Sequence, residues 1–356
     1  VTTGFNAVIN TVGDRIERRQ KEAGSKGGGR RRILSLDIGY GSVRRMLERW
    51  RDRGMGVEWS QLAVPLPFTA DSLHALVESE LEAGDVELLV VDHITSNSAV
   101  VLPVAELAAL AHLHGAQVLV DGAHALGSLA LDMRAIDADY YVGNCHKWFL
   151  CPRGAGFFYC TSNSRGFRGG GQCGERECDS GQSDDRDILR REVEPPIVSH
   201  GYHHGFASKF IWDGARDYSS ALSIPTALRL WSEVLGGERA LAYCRETLAA
   251  ACRLLAERWG TDTLFPLSMC ASMAVVRLPR SAWPTYAAGD VGSEVAFSSA
   301  AKAIQDALYH LHRIEVPVKC LAGELYVRIS AHVYNHAGHY QRLAQAVLQL
   351  SWDEPL

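Results

Sequence analysis

The sequence predicts an α/β fold with a mainly parallel sheet flanked by helices, followed by a smaller C-terminal α+β domain. Between residues 86 and 160, apolar runs alternate with a helical pattern in units of about 30 residues, which is typical of parallel strands joined by right-handed crossovers. After Trp212, a long helical stretch precedes separated strands and helices. The 356 residues suffice for two domains, which we predict at 1–230 and 231–356.

Local patterns predict the elements of the larger domain in chain order. Residues 86–91 (Val-Glu-Leu-Leu-Val-Val) form a short apolar run, which indicates a buried strand. Residues 103–114 carry apolar side chains at helical spacing, with a proline at the start and Gly115 after the end. Further strands are predicted at 117–120, 139–142 and 156–160. Because ligands bind beyond the carboxyl ends of parallel strands, Asp121 lies where a binding site is expected.

The C-terminal region shows a different succession of elements. An almost continuous helix is predicted over residues 218–259. It is followed by a strand, a helix, a strand and a last helix at 271–278, 298–311, 324–329 and 338–350. Three polar segments are predicted to be loops or insertions, at 24–32, 161–191 and 287–292.

Composition and charge exclude several classes of function. The formal net charge of -5 predicts no binding to nucleic acid, and the basic run at residues 30–32 lacks interleaved aromatic residues. No apolar run reaches the roughly 18 residues of a transmembrane helix, so no membrane association is predicted. Nine scattered cysteines predict a reducing compartment and a cytoplasmic location. The opening Val1-Thr2-Thr3 lacks Met, and we expect the chain to begin partway through a longer protein.

Two motifs that follow predicted strands carry reactive side chains. Asp121 opens Asp-Gly-Ala-His, and Lys147 closes Gly-Asn-Cys-His-Lys. The apolar residues 148–150 would desolvate the lysine amine, which favours the neutral nucleophile that a Schiff base requires. A lysine whose stem packs on apolar residues at a helix start is the structural alternative. A carboxylate nearby suits a cofactor with a pyridinium nitrogen.

In this order the motifs resemble the class V aminotransferase family of pyridoxal-phosphate enzymes (fold type I), in particular its isopenicillin N epimerase-like branch. The resemblance covers nearly the whole chain apart from the first two polar segments. It rests on residues 1–6, 92–96, 121–124, 143–147, 196–202, 212–217 and 327–330. It implies a PLP-dependent transferase fold, the cofactor pyridoxal 5'-phosphate, a small amino-acid-like substrate and a homodimer with the active site at the subunit interface.

The resemblance also implies roles for individual residues. Lys147 would form the Schiff base with the cofactor and transfer protons, Asp121 would pair with the pyridine nitrogen, and His124 would bond to the phenolic oxygen. Thr2 and Thr3 would bind the phosphate, helped by backbone N–H groups at the start of the following helix. The other expected cofactor neighbours are Tyr40, Thr95, Ser96, Asn144 and His146.

Arg328 matches the arginine that clamps the substrate carboxylate, a bidentate task suited to guanidinium. Tyr40 is either a residue that stacks on the cofactor ring or a plain loop tyrosine.

Two departures from the family pattern stand out. Ala215 replaces a threonine that reaches the phosphate of the partner subunit, so weaker cofactor binding is expected. The family segment before Thr2, which helps to form the substrate pocket, has no counterpart in this sequence.

The reaction type stays open at this point. Epimerase, aminotransferase and C–S lyase reactions, the last as in the sulfoxide lyases of ergothioneine synthesis, all begin at Cα of an amino acid. A cysteine desulfurase is disfavoured, because Cys320 lies only eight residues before Arg328 and no Gly-x-His-Cys precedes it. A catalytically impaired binding or structural relative is the alternative from another class, favoured by Ala215 and the missing front segment.

Several other motifs are not assigned a function. Residues 200–204 contain three histidines without supporting Cys or His spacing, so no metal site is expected. Cys173 and Cys178 have no second pair, and the glycines at 166–171 do not follow a strand as dinucleotide binding requires. Three histidines near the last helix are predicted to be surface or capping residues: His332, His336 and His339.

Overall fold

A computed structural model describes residues 1–23, 31–53, 57–161, 192–284 and 294–351. The strands of the main sheet are β1 (Arg32–Leu36), β2 (Glu58–Leu62), β3 (Val86–Asp92), β4 (Gln117–Gly122), β5 (Tyr140–Asn144) and β6 (Gly156–Cys160). Their order in the sheet is β2-β1-β3-β4-β5-β6. All neighbours pair in parallel except β5 and β6, which are antiparallel. The predicted mainly parallel sheet is confirmed.

Helices cover both faces of this sheet. They are α1 (Thr2–Ala23), α2 (Gly41–Asp52), α3 (Ala70–Leu81), α4 (Val104–Leu113) and the short α5 (Met133–Ile136). Within β3, Leu88 and Val90 belong to the core cluster that contains residues of α1 and α2, whereas Leu89 and Val91 belong to the cluster that contains residues of α3 and α4. From Leu88 to Val91 the strand is therefore apolar on both faces, as expected for a parallel sheet that is covered on both sides.

The C-terminal region combines helices with a second, antiparallel sheet. Its elements are α6 (Gly205–Ile211), α7 (Ser219–Leu222), α8 (Ile224–Arg229), α9 (Glu238–Trp259), β7 (Met273–Arg277), α10 (Glu294–His312), β8 (Val318–Leu321), β9 (Glu324–Ser330) and α11 (Ala337–Leu348). The three strands lie in the order β7-β9-β8. The predicted α+β character is confirmed, and the boundary at residues 230 and 231 stays a prediction.

The almost continuous helix predicted over residues 218–259 is present, with interruptions at Ser223 and at residues 235–237. After α8 the chain forms a π-helical turn at Leu230–Val234, and α9 begins only at Glu238. Between them Gly236 and Gly237 have φ angles of 69° and 29°. Glycine adopts this left-handed region readily, and it ends a right-handed helix.

The polar segments lie largely outside the described residues. This applies to positions 24–30, 162–191 and 287–292, and with them to Cys173, Cys178 and the glycines at 166–171. The predicted loop at 24–32 is wrong at its end, because Arg32 begins β1 and its guanidinium pairs with Asp85 at 2.9 Å and Glu80 at 2.7 Å. Across the ranges that the structure covers, every helix is too short or too polar to cross a membrane.

Candidate active site

The site lies at the carboxyl ends of three adjacent parallel strands. Asp92 and Asp121 are register partners at the ends of β3 and β4, and β5 leads into the segment that carries Lys147. The carboxyl edge of the sheet was the predicted place for a ligand, since strand ends there expose loops from several elements at one point.

A cavity of about 350 Å³ opens at this edge. It is lined by Val1, Thr2, Thr3, Tyr40, Asp92, Ile94, Ser96, Asp121, Ala123, His124, Asn144, His146, Lys147 and Gly154. The structure thus brings together all the residues predicted to contact the cofactor except Thr95. The Thr95 hydroxyl is buried in its own turn, where it lies 2.7 Å from Ser98 Oγ and accepts the Val100 N–H at 3.0 Å.

Lys147 and His124 form the reactive pair of the cavity. The Lys147 amine nitrogen lies 3.0 Å from Nε2 of His124. Burial lowers the pKa of Lys147 below its usual value, and Asp121 opposes that shift. Burial, with smaller contributions from Lys147 and Arg328, lowers the pKa of His124 to about 3. The imidazole is therefore neutral at physiological pH, and the lysine amine is more available as a nucleophile or base.

Asp121 has one buried oxygen without a partner. Its Oδ1 accepts the Ala123 N–H at 2.9 Å, whereas Oδ2 is buried and has no hydrogen-bond partner within the described parts of the chain. An unpaired buried carboxylate oxygen is costly, and burial raises the pKa of Asp121 above its usual value. A protonated ring nitrogen would satisfy this oxygen, so the carboxylate fits the pyridine ring of pyridoxal phosphate.

Asp92 also lines the cavity and was not predicted as a site residue. Burial and the neighbouring Asp121 raise its pKa well above the usual value, although the Tyr40 backbone N–H opposes this. The signal that could have identified it is the pair of matching segments Leu-Val-Val-Asp and Val-Leu-Val-Asp, at 89–92 and 118–121, each a strand that ends in aspartate. Two carboxyl groups at neighbouring strand ends oppose each other's ionisation, so a cation bound at this edge would stabilise their charged forms.

The part of the cavity lined by the start of α1 is suited to an anion. Helix α1 begins at Thr2, so its first backbone N–H groups have no partners within the helix and face the end that carries Thr2 and Thr3. At Gly4 a Cβ atom would lie 2.8 Å from the Val142 side chain, so glycine lets this helix pack closely against β5. A phosphate group fits this position, with the His146 side chain on the same cavity.

Arg328 reaches the rim of the cavity from β9. Its guanidinium donates to the Ser96 backbone carbonyl and to the Ser96 hydroxyl, the latter at 3.3 Å. Its Nε is buried without a partner in the described residues. A substrate carboxylate could satisfy this donor, which supports the predicted carboxylate clamp.

Other predicted residues lie outside the cavity lining. Cys320 lies within strand β8 and is half-buried. His336 caps α11 by accepting the Gly338 N–H at 3.2 Å. The prediction that His332 is a surface or capping residue is wrong, because His332 is buried with its ring stacked on Trp148, 5.7 Å between centroids.

The sequence of this chain is similar to a known protein family and to several characterised enzymes. Residues 31–183 match the family model of the class V aminotransferases. The chain is 33% identical to L-cysteine desulfhydrase of Arabidopsis thaliana over 90% of this chain and 68% of that protein. It is 28% identical to isopenicillin N epimerase of Amycolatopsis lactamdurans over 98% of this chain and 79% of that protein. Across the four plant desulfhydrases that it matches, the chain spans 60–68% of their length.

The fold is shared with solved structures. One of them is the cystine C–S lyase in complex with its product cysteine persulfide, with a TM-score of 0.65 and 18% identity. The match covers 96% of this chain and 80% of that one. At this identity the likeness concerns the fold alone.

Proposed function

The chain belongs to the class V aminotransferase family, and from this membership we propose that it is a pyridoxal-phosphate-dependent C–S lyase acting on a cysteine-like amino acid. The observation that carries the proposal is the grouping of Lys147, His124 and Asp121 around one cavity, with Arg328 at its rim. The name of the Arabidopsis relative supplies the substrate class.

Each of the proposed cofactor-binding residues would have a separate role. Pyridoxal phosphate, when bound, supplies a ring that stabilises negative charge at the substrate Cα. Asp121 would hold the ring nitrogen through its unpaired oxygen, and the start of α1 with Thr2 and Thr3 would hold the phosphate. Lys147 would carry the cofactor covalently and then move the Cα proton.

The proposed reaction breaks the Cβ–S bond of the substrate. Lys147 would take the proton from Cα while Arg328 holds the carboxylate, and the sulfur would leave from Cβ. With one water, L-cysteine yields pyruvate, ammonia and hydrogen sulfide, so that all atoms balance. The cavity of about 350 Å³ lies within the range of ligand pockets, about 300–1,000 Å³.

Epimerisation is the second candidate. The match to isopenicillin N epimerase covers 79% of that relative, a larger share than for the Arabidopsis desulfhydrase. The same Lys147 would remove the Cα proton, and a proton would return on the other face. Transamination uses the same residues and differs in where the proton is returned.

Product analysis tests the proposal. We expect L-cysteine to give equal amounts of pyruvate, ammonia and sulfide, and L-alanine, which lacks a leaving group on Cβ, to give none. Inversion at Cα of isopenicillin N without sulfide from L-cysteine would replace the lyase by the epimerase. Keto acid formed from L-alanine only when an acceptor keto acid is added would indicate transamination. Purified protein that binds no cofactor and turns over none of these would support the impaired relative.

A homodimer is part of the proposal. Ile211, Leu222 and Val234 are 73%, 77% and 63% exposed and lie on or beside consecutive short helices. Exposed large apolar side chains on successive short helices are typical of an interface, and a second copy of the chain would cover them. The exposed Ala215 lies in the same region, as expected for a position that faces a partner.

We also propose a cytoplasmic location, which follows from the cysteine usage alone.

Replacing Ala215 tests the departure from the family pattern. We expect Ala215→Thr to tighten binding of pyridoxal phosphate about 2- to 12-fold, because one added hydrogen bond contributes about 0.5–1.5 kcal/mol. The measurement is equilibrium titration of the cofactor-free dimer, whose mass is checked by sedimentation. Ala215→Val is the matched control, since it adds the same volume without a hydroxyl. Equal affinities for the Thr and Val variants would contradict a phosphate contact at this position.

A further inference from the structure

We infer that Trp148 is a positioning residue whose indole N–H holds His124 in the tautomer that directs Nε2–H at the Lys147 amine. The chemical use of that amine rests on the proposed function, whereas the hydrogen bonds do not. Trp148 follows Lys147 directly and does not itself line the cavity, but its indole reaches His124, which does.

The two nitrogens of His124 have different partners. The Trp148 indole nitrogen lies 3.2 Å from Nδ1, and the Lys147 amine nitrogen lies 3.0 Å from Nε2. An indole N–H can only donate, so Nδ1 must accept. A neutral imidazole carries one donor and one acceptor, so the proton must sit on Nε2.

This tautomer favours the uncharged form of the Lys147 amine. An Nε2–H can donate only to an uncharged amine, because an ammonium group has no lone pair to accept it. The other charged and titratable groups around the amine are Asp121 and Asp92, which favour the ammonium, and Arg328, which opposes it. The His124 N–H therefore acts with burial and Arg328 against the two carboxyl groups.

Contacts with the C-terminal region hold the indole in place. The Trp148 ring stacks on His332 at 8° between planes, and His332 stacks in turn on Tyr334 at 4.5 Å between centroids. Gly127, at φ 81°, lies so close to Trp148 that a Cβ atom there would be 2.6 Å from the Trp148 carbonyl oxygen. The position of the indole is therefore set by a ring stack and a close backbone contact, neither of which depends on His124.

A Trp148→Phe variant tests the inference on the cofactor-free full chain. Phenylalanine keeps an aromatic ring beside His332 and removes the donor, so His124 can move its proton to Nδ1 and accept from a Lys147 ammonium group. We expect the pH midpoint of Lys147 acetylation, followed by peptide mass spectrometry, to rise by about one pH unit, which lowers its reactivity at neutral pH about 10-fold. Trp259→Phe is the matched control, because it also removes a buried indole donor, to the Ala344 carbonyl at 3.1 Å. This control should leave the midpoint unchanged.

A second measurement needs no variant. In the wild-type chain labelled with ¹⁵N-histidine, we expect the His124 shifts of a proton on Nε2 and none on Nδ1, with His124→Gln identifying the signal. A proton on Nδ1, or a folded Trp148→Phe protein with an unchanged Lys147 midpoint, would overturn the inference. Neither readout depends on turnover, so absence of lyase activity with both results as expected would reject the proposed function alone.

Discussion

The Lys147→Ala variant is expected to lose at least about 10⁴-fold in turnover of L-cysteine and to lack the near-ultraviolet and visible absorption band of the bound cofactor. The lysine has two tasks in the proposed reaction, covalent attachment of the cofactor and removal of the Cα proton. Both depend on an amine in the cavity, and Lys147 is the only lysine in its lining as the structure describes it.

Absorbance, borohydride reduction followed by peptide mapping, and sulfide release measure this effect. Lys147→Arg separates charge from nucleophilicity, since guanidinium keeps the positive charge and does not form the covalent link at neutral pH. Lys319→Ala is the matched control, because burial also lowers the pKa of Lys319, yet this residue lies on β8 outside the cavity lining. Reduced cofactor found on a lysine other than Lys147 would contradict the assignment.

Asp121→Asn is expected to lower turnover about 10²- to 10⁴-fold while the fold is kept. Asparagine has nearly the same shape, but it cannot pair as a carboxylate with a ring cation. Breaking a buried ion pair of this kind costs about 3–5 kcal/mol. Steady-state kinetics at saturating cofactor measure the loss, and Asp132→Asn, at the exposed N-cap of α5, is the control. Unchanged turnover would exclude Asp121 as the partner of the ring nitrogen.

The same variant should stabilise the cofactor-free protein as the pH rises. Burial raises the pKa of Asp121 in the folded state, so the folded chain binds this proton more tightly than the unfolded chain does. The resulting stability is present below the unfolded pKa and is lost as the pH rises through the folded pKa. The melting temperatures of wild type and Asp121→Asn should therefore be similar near about pH 4 and diverge toward about pH 8, with the variant the more stable.

Much of the fold could be predicted because the relevant strands are apolar on both faces. The strand predicted at 86–91 forms β3 together with Asp92, and the helix predicted at 103–114 contains α4 with one flanking residue at each end. By contrast, β2 was missed, since each of its residues is only half-buried and its sequence Glu-Trp-Ser-Gln-Leu shows no apolar run. An edge strand is determined by pairing with its neighbour more than by its own pattern.

The parts of the site that lie in short motifs of consecutive residues could be predicted from the sequence. Resemblance grouped Asp121, His124 and Lys147, and the structure places them on one cavity. The pairing of Asp92 with Asp121 could not be predicted, because parallel register is set by packing between distant segments. The bond from Trp148 to His124 depends on how the loop after β5 folds back, which no local pattern encodes.

The contact between Arg328 and Ser96 joins positions 232 residues apart in the chain. Together with the start of α1, it means that the cavity and its rim draw on segments far apart in the sequence and form only when long-range packing is complete. A molecule that binds only this finished arrangement shifts the folding equilibrium of the chain as a whole toward the native state. We therefore expect the supply of pyridoxal phosphate to affect the amount of folded protein in a cell, in addition to the turnover of each molecule.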